Sequence, residues 1–175
     1  MTGAMSGRIA GERLTEEAFR PFGDLLRIGG EPDRWINAGL CGRWHDLARL
    51  DFGEDGRAGI SLFRSEARSL PHAVDLVERH PDGSQAFLPL TPDPFLVVVA
   101  PDEGGRPGRP RAFLTEAGDG VNFHRGTWHG VLTPLVGGQV FAVVDRIGEG
   151  ANLEEWRFEA PWMVECPRVD NVSSY

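Results

Sequence analysis

Two stretches of this sequence gather the residue types that move protons or hold metal ions. The first, ERHPDGSQAFLPL, covers residues 78–90 and offers Glu78, His80 and Gln85 around a Pro-Asp-Gly turn. The second, GDGVNFHRGTWHG, covers 118–130 and offers Asn122, His124, Arg125 and His129. The chain has five histidines in 175 residues, and three of them fall in these two stretches. Imidazole titrates near neutral pH and ligates metals, and a carboxylate beside it suits acid–base or metal work. Each stretch also has a plainer reading. The first can be a polar strand end satisfied by turn hydrogen bonds, and the second a hairpin with surface histidines.

The elements around them decide how these side chains point. In a strand over 73–80, alternation puts Val74, Leu76, Glu78 and His80 on one face. Val74 and Leu76 should face the core, so Glu78 and His80 are expected to turn inward near the strand's end. The turn at 81–83 then sends the chain back with Gln85 and Phe87 on one face. In the second stretch Asn122 and His124 share a face, and Val121 and Phe123 take the other.

The remaining chain reads as β structure. Strands are expected over 34–37, 43–52, 59–66, 73–80, 85–90, 95–100, 111–115, 121–124, 128–132, 139–146 and 156–158. The 23 glycines and 13 prolines are spread along the length, as expected of short strands joined by turns. One helix is expected over 16–20, with Thr15 as N-cap and acids in its first turn. About eleven short strands without alternating helices argue for a closed barrel or jelly roll. We expect one domain over 13–165, a loose leader over 1–12 and a C-terminal tail over 166–175.

Net charge is −8, which argues against a nucleic-acid or anionic membrane partner but leaves room for a small anionic substrate. The longest apolar run, 95–100, is far too short to span a bilayer. Cys41 and Cys166 form no CxxC pair or disulfide framework, and the first residues lack the apolar core of a secretory signal. A cytoplasmic protein is therefore expected. His45 and Asp46 cannot pair within one strand, and no G-x-S-x-G elbow occurs, which sets nucleophilic serine catalysis aside.

The spacings resemble the two cupin motifs. Gly118, five residues, His124-Arg125-Gly126, two residues and His129 follow the second motif, with His124 in place of proline. Glu78-Arg79-His80, four residues and Gln85 follow the first in spacing, with Glu78 in place of a histidine and Gln85 in place of a glutamate. A narrower resemblance covers about residues 14–160. The blocks LTEEAFRPFGDLL, ISLFRSEARSLP, LVERHPDGSQAFLPL, GVNFHRGTWH and FAVVDR resemble, in this order, the ureidoglycolate lyase family. The chain departs from that family at Gly130, where many members carry a second histidine after the Trp-His pair, and over 147–153.

That resemblance implies an all-β, cupin-like double-stranded β-helix (jelly roll) with one short N-terminal helix. It also implies a homodimer and cleavage of ureidoglycolate to glyoxylate and urea in allantoin degradation. A cupin barrel would bring Glu78, His80, Gln85 and His129 together, and this set could hold a divalent ion such as Ni, Mn or Fe. Without a cofactor, the same side chains would grip the substrate directly. Ureidoglycolate carries hydroxyl, ureido nitrogen and carboxylate on one carbon, so its cleavage needs a base, an acid and a cation. Glu78, His80, His124 and His129 are the expected catalytic residues, with His124 as acid–base partner. Arg64 and Arg146 are expected at the carboxylate, and Asn122 and Gln85 at the urea group. Two other readings stay open: a cupin enzyme acting on another small hydroxy acid or carbinol, and a non-catalytic small-ligand binder.

Overall fold

The computed structural model describes residues 7–166. It contains β1 (Gly7–Arg13), helix α1 (Glu16–Phe19), β2 (Gly23–Leu26), β3 (Arg34–Ile36), β4 (Cys41–Arg43), β5 (Arg57–Ser65) and β6 (His72–Arg79). There follow β7 (Gln85–Pro89), β8 (Phe95–Ala100), β9 (Arg111–Leu114), β10 (Gly120–Phe123), β11 (Trp128–His129), β12 (Thr133–Pro134), β13 (Gln139–Ile147) and β14 (Glu154–Glu165). The fold is all-β apart from the one short helix, as expected for a cupin-like chain.

One sheet runs β11-β6-β14-β1-β9-β8-β12, and β11 also pairs with β8, so six of its strands close into a ring. A second, five-stranded sheet runs β2-β10-β7-β13-β5, and β3 and β4 form a separate hairpin. β8 shows how the two layers pack. Its Phe95, Val97 and Val99 join Phe87, Val121, Phe123, Phe141 and Val143 of the five-stranded sheet in one core. Its Leu96, Val98 and Ala100 face the other way, onto Trp128, Trp162 and Val164 within the ring. This explains the unbroken apolar run of β8, which has no solvent face to serve.

Helix α1 forms where its capping signals lie. The Thr15 side chain accepts from the Ala18 amide at 3.2 Å, Glu16 and Glu17 occupy the first turn, and Phe19 is fully buried. Gly23 then does more than stop the helix. It opens β2 beside β10, where an added Cβ would lie 2.0 Å from the Asn122 carbonyl oxygen. Only glycine permits this approach.

β2 forms where no strand was expected, β4 ends where the strand 43–52 was expected to begin, and the strands differ from expectation in four further places. Part of the expected leader, residues 1–6, lies outside the described residues. Gly7–Arg13, however, forms β1, parallel to both β14 and β9. Only Ile9 among its side chains is buried, so the sequence shows little hydrophobic signal there. β14 is twelve residues long, well beyond 156–158, and carries a bulge between Arg157 and Trp162. The expected strand 128–132 is realised only as β11 over 128–129; residues 130–132 are irregular, and β12 begins beyond them at Thr133. Residues 44–52 are irregular rather than extended. Their backbone groups are taken by side chains: Asp24 accepts from the Arg49 amide at 2.9 Å, and Ser84 Oγ accepts from the Asp51 amide at 2.8 Å. The tail beyond residue 166 lies outside the described residues.

Candidate active site

The cross-strand register sets the site. His129 on β11 stands directly opposite Glu78 on β6, and Glu78 stands opposite Glu155 on β14. His80 follows one residue past the end of β6. On the facing sheet, Gln85 is opposite both Phe123 and Asp145. Glu78, His80 and His129 each offer a ligand atom, and these atoms lie within 4.8 Å of one another.

His129 is the deepest of the three. Its ring lies flat on Phe123, with centroids 4.3 Å apart, and its centroid is 5.3 Å from that of His80. Its Nδ1 is 3.0 Å from the Gly130 carbonyl oxygen. A carbonyl only accepts, so Nδ1 carries the proton and Nε2 the lone pair. That Nε2 is buried and has no hydrogen-bond partner. Burial, reinforced by the positive charge of a protonated His80, pushes the pKa of His129 down to about 3, against the pull of the Gly130 carbonyl. The imidazole therefore stays neutral at physiological pH, with its lone pair free.

Glu78 shifts the opposite way. Burial raises its pKa, the neighbouring His80 lowers it, and the like charge of Glu155 raises it again; the net direction is up. His80 is held at both ring nitrogens. Nδ1 donates to the Asn152 carbonyl at 2.7 Å, and Nε2 is 3.2 Å from Gln85 Oε1. The Asn152 side chain in turn accepts from the Asp82 amide at 2.8 Å, fastening the turn after β6 to the loop before β14. Gln85 Nε2 donates to Asp145 Oδ2 at 3.3 Å.

This arrangement suits a divalent cation. Two imidazoles, a carboxylate and an amide oxygen make a borderline donor set. A buried Nε2 without a partner, on a ring whose Nδ1–H is fixed by a carbonyl, is the usual presentation of a metal-ligating histidine.

The other expected site residues lie elsewhere. Val121 and Phe123 fill the core, which leaves Asn122 and His124 on the opposite face of the five-stranded sheet from Gln85. There His124 Nε2 is 2.8 Å from Asp24 Oδ1, and Asn122 Nδ2 donates to Asp24 Oδ2 at 2.9 Å. Burial disfavours the Asp24 carboxylate, but bonds from Asn122, the Arg49 amide and His124 outweigh it and lower its pKa. His124 and Asn122 thus fasten the 44–52 segment to the sheet instead of joining the cluster.

Arg146 also stands on that outer face, one position after the inward Asp145. It is packed where Cβ atoms on Gly56, Gly83 or Gly148 would collide with it. Arg64 is exposed and pairs with Val140, five strand positions from Asp145, roughly 17 Å along β13. Neither arginine stands beside Glu78, His80 and His129, so this geometry adds nothing to the expected carboxylate role of either. A recess of about 780 Å³ is lined by Glu54, Arg57, Arg146 and Glu149 among others and includes none of the cluster residues.

The alternation used to turn Glu78 inward does not run unbroken along β6. Val74 and Val77, an odd number of positions apart, share one core cluster, and Glu78 is opposed by His129, not aligned with Val74. The three residues that sequence reasoning missed are Asp145, Asn152 and Asp24. Asp145 carried a readable signal: alternation along 139–146 puts it on the face of Phe141 and Val143. Asn152 acts through its backbone carbonyl, and Asp24 through a tertiary contact, so neither had a local signature.

Comparison with known proteins identifies the family. The ureidoglycolate lyase family model matches residues 6–165. A ureidoglycolate lyase of Rhodobacter capsulatus is 64% identical over 158 residues, 90% of this chain and 98% of the relative. One from a Chelativorans species is 52% identical over 161 residues, covering 91% and 98% of the two chains. Ureidoglycolate lyase 2 of Rhizobium meliloti is 52% identical over 153 residues, covering 87% and 94%. The chain belongs to the ureidoglycolate lyase family.

Proposed function

We propose that this protein is a ureidoglycolate lyase, releasing urea and glyoxylate from ureidoglycolate in purine (allantoin) degradation, with the reaction centred on Glu78, His80 and His129. The family membership supports the activity. One observation carries the location: the buried, unpartnered Nε2 of His129 beside Glu78 and His80.

The substrate needs one proton removed and one delivered. The hydroxyl must lose its proton as the carbon–nitrogen bond breaks, and the leaving urea nitrogen must gain one; no water is consumed. Glu78 suits both transfers, because burial raises its pKa above that of an ordinary carboxylate. As a carboxylate it takes the hydroxyl proton, and as the acid so formed it protonates the departing nitrogen. His80, His129 and Gln85 Oε1, with one oxygen of Glu78, would hold a divalent ion such as Ni, Mn or Fe. When bound, that ion would acidify the substrate hydroxyl and offset the substrate's negative charge. Phe123 walls the site and excludes water from beneath His129. The Asn152 carbonyl keeps His80 in the tautomer that turns Nε2 toward Gln85.

The protein also acts as a homodimer in this reading. The outer face of the five-stranded sheet carries Ile60 and Leu62, 77% and 70% exposed, with Leu88 and Leu90 beside them. Leu62, Ala142 and Leu88 are cross-strand neighbours and so share that face. An exposed apolar row of this kind is what a second copy would cover. No helix among the described residues is long and apolar enough to cross a membrane. A cytoplasmic location fits the cysteine usage.

The test is direct. Purified protein is given racemic ureidoglycolate, and glyoxylate and urea are followed together. Equal release of both supports the proposal, and folded protein without turnover, with or without added Mn²⁺ or Ni²⁺, contradicts it.

A further inference from the structure

Gln85 is 6% exposed, and its amide has a partner at each end. A side-chain amide turned over about its terminal bond exchanges donor for acceptor at both ends, so something must fix its orientation. Asp145 does so. An ionised carboxylate only accepts, so the amide nitrogen must face Asp145 Oδ2 and the oxygen must face His80. The backbone enforces the meeting, since Asp145 and Gln85 are directly opposite across β13 and β7.

The consequence reaches the cluster. His80 Nδ1–H is committed to the Asn152 carbonyl. In the neutral ring, the Nε2 lone pair then faces the Gln85 oxygen across 3.2 Å. Two lone pairs at that separation repel unless a proton on Nε2 or a metal cation shares the space. A turned amide would remove the conflict by donating N–H to Nε2, and would remove the oxygen donor with it. Asp145 blocks that escape.

We propose that Asp145 is a positioning residue that locks the Gln85 amide with its oxygen toward His80 and the cluster, making Gln85 an oxygen ligand for a cation held there. This rests on the cation-binding reading given above, and its test separates the two. Full-length, metal-free wild type, Asp145→Ala and Asp145→Asn are titrated with Mn²⁺ by calorimetry. The Gln85 side-chain NH₂ resonances are followed by NMR in the same proteins.

Asp145→Ala should bind Mn²⁺ about tenfold to a hundredfold more weakly, the usual scale for a lost outer-shell partner. The unfolding midpoint of its metal-free form should stay near wild type, and the Gln85 resonances should move. Asp145→Asn, whose oxygen can still accept from Gln85, should show a smaller loss. Should the alanine variant not fold, the asparagine variant decides, and unchanged affinity there overturns the proposal. Wild-type affinity in Asp145→Ala, or unmoved Gln85 resonances, also overturns it. A wild type that takes up no Mn²⁺ removes the cation reading and the ligand role of Gln85. The orienting role of Asp145 is then upheld or overturned by the Gln85 resonances alone.

Discussion

The imidazole of His129 lies flat against the ring of Phe123, with centroids 4.3 Å and planes 3° apart. The contact joins the two sheets at the one point where a buried ring nitrogen lacks a partner among the cluster residues. It also accounts for much of the dry surroundings that hold His129 neutral. The folded pKa, about 3, lies below the ordinary value of 6.5. A depressed pKa contributes stability that is fully present above pH 6.5 and is lost as the pH falls toward 3, because the unfolded chain protonates first. The His129 share of the loss from pH 7 to pH 5 is about 2 kcal/mol, at about 1.4 kcal/mol per pK unit. Denaturant unfolding of the metal-free protein at both pH values should show this slope, and His129→Gln should lack most of it. Equal slopes in the two proteins would contradict the buried neutral state.

His124 and His129 should behave differently when truncated. His129→Ala should lower kcat/KM at least about a hundredfold, the scale of a lost group in the reaction centre. His124→Ala breaks the contact with Asp24 across the sheet, so it should cost stability and leave kcat within several-fold. Steady-state kinetics with a thermal melt of each variant separates these effects. A hundredfold fall in kcat for a folded His124→Ala would return that residue to the reaction.

Much of the fold was legible because it follows from strand periodicity and turn chemistry. Thr15 caps the helix as its sequence suggests, and 59–66, 73–80, 85–90 and 139–146 lie within two residues of observed strands. β1 was hidden because it has one buried side chain and gains its order from two distant strands. The grouping of Glu78, His80 and His129 was visible in motif spacing. The exclusion of Asn122 and His124 follows from the same alternation that puts Val121 and Phe123 in the core. What spacing could not reveal is that Asp24 waits on the outer face to receive them. The orientation of His80 depends on a main-chain carbonyl, Asn152, which any residue type supplies.

A cation held by the cluster should stabilise the fold, since the unfolded chain does not bring these ligands together. At about a hundred times its Kd, Mn²⁺ should add about 2.7 kcal/mol to unfolding free energy. Chemical denaturation with Mn²⁺ or with EDTA reads this directly, and His129→Ala should remove most of the gain. An identical gain in that variant would place the ion elsewhere.

The outer face of the five-stranded sheet should control assembly. Leu62→Glu puts a charge in the centre of the Ile60, Leu62 and Leu88 row. Light scattering should show a dimer for the wild type and a monomer for the variant. A dimeric variant would direct attention to another surface.

Turnover of ureidoglycolate by Glu78→Gln tests the central claim most directly. The substitution keeps size and hydrogen bonding but removes the group that takes and returns the proton. With the protein folded and Mn²⁺ present, release of glyoxylate and urea should fall at least about a hundredfold below wild type. Turnover within a few-fold of wild type would mean that the reaction is not centred on Glu78, His80 and His129.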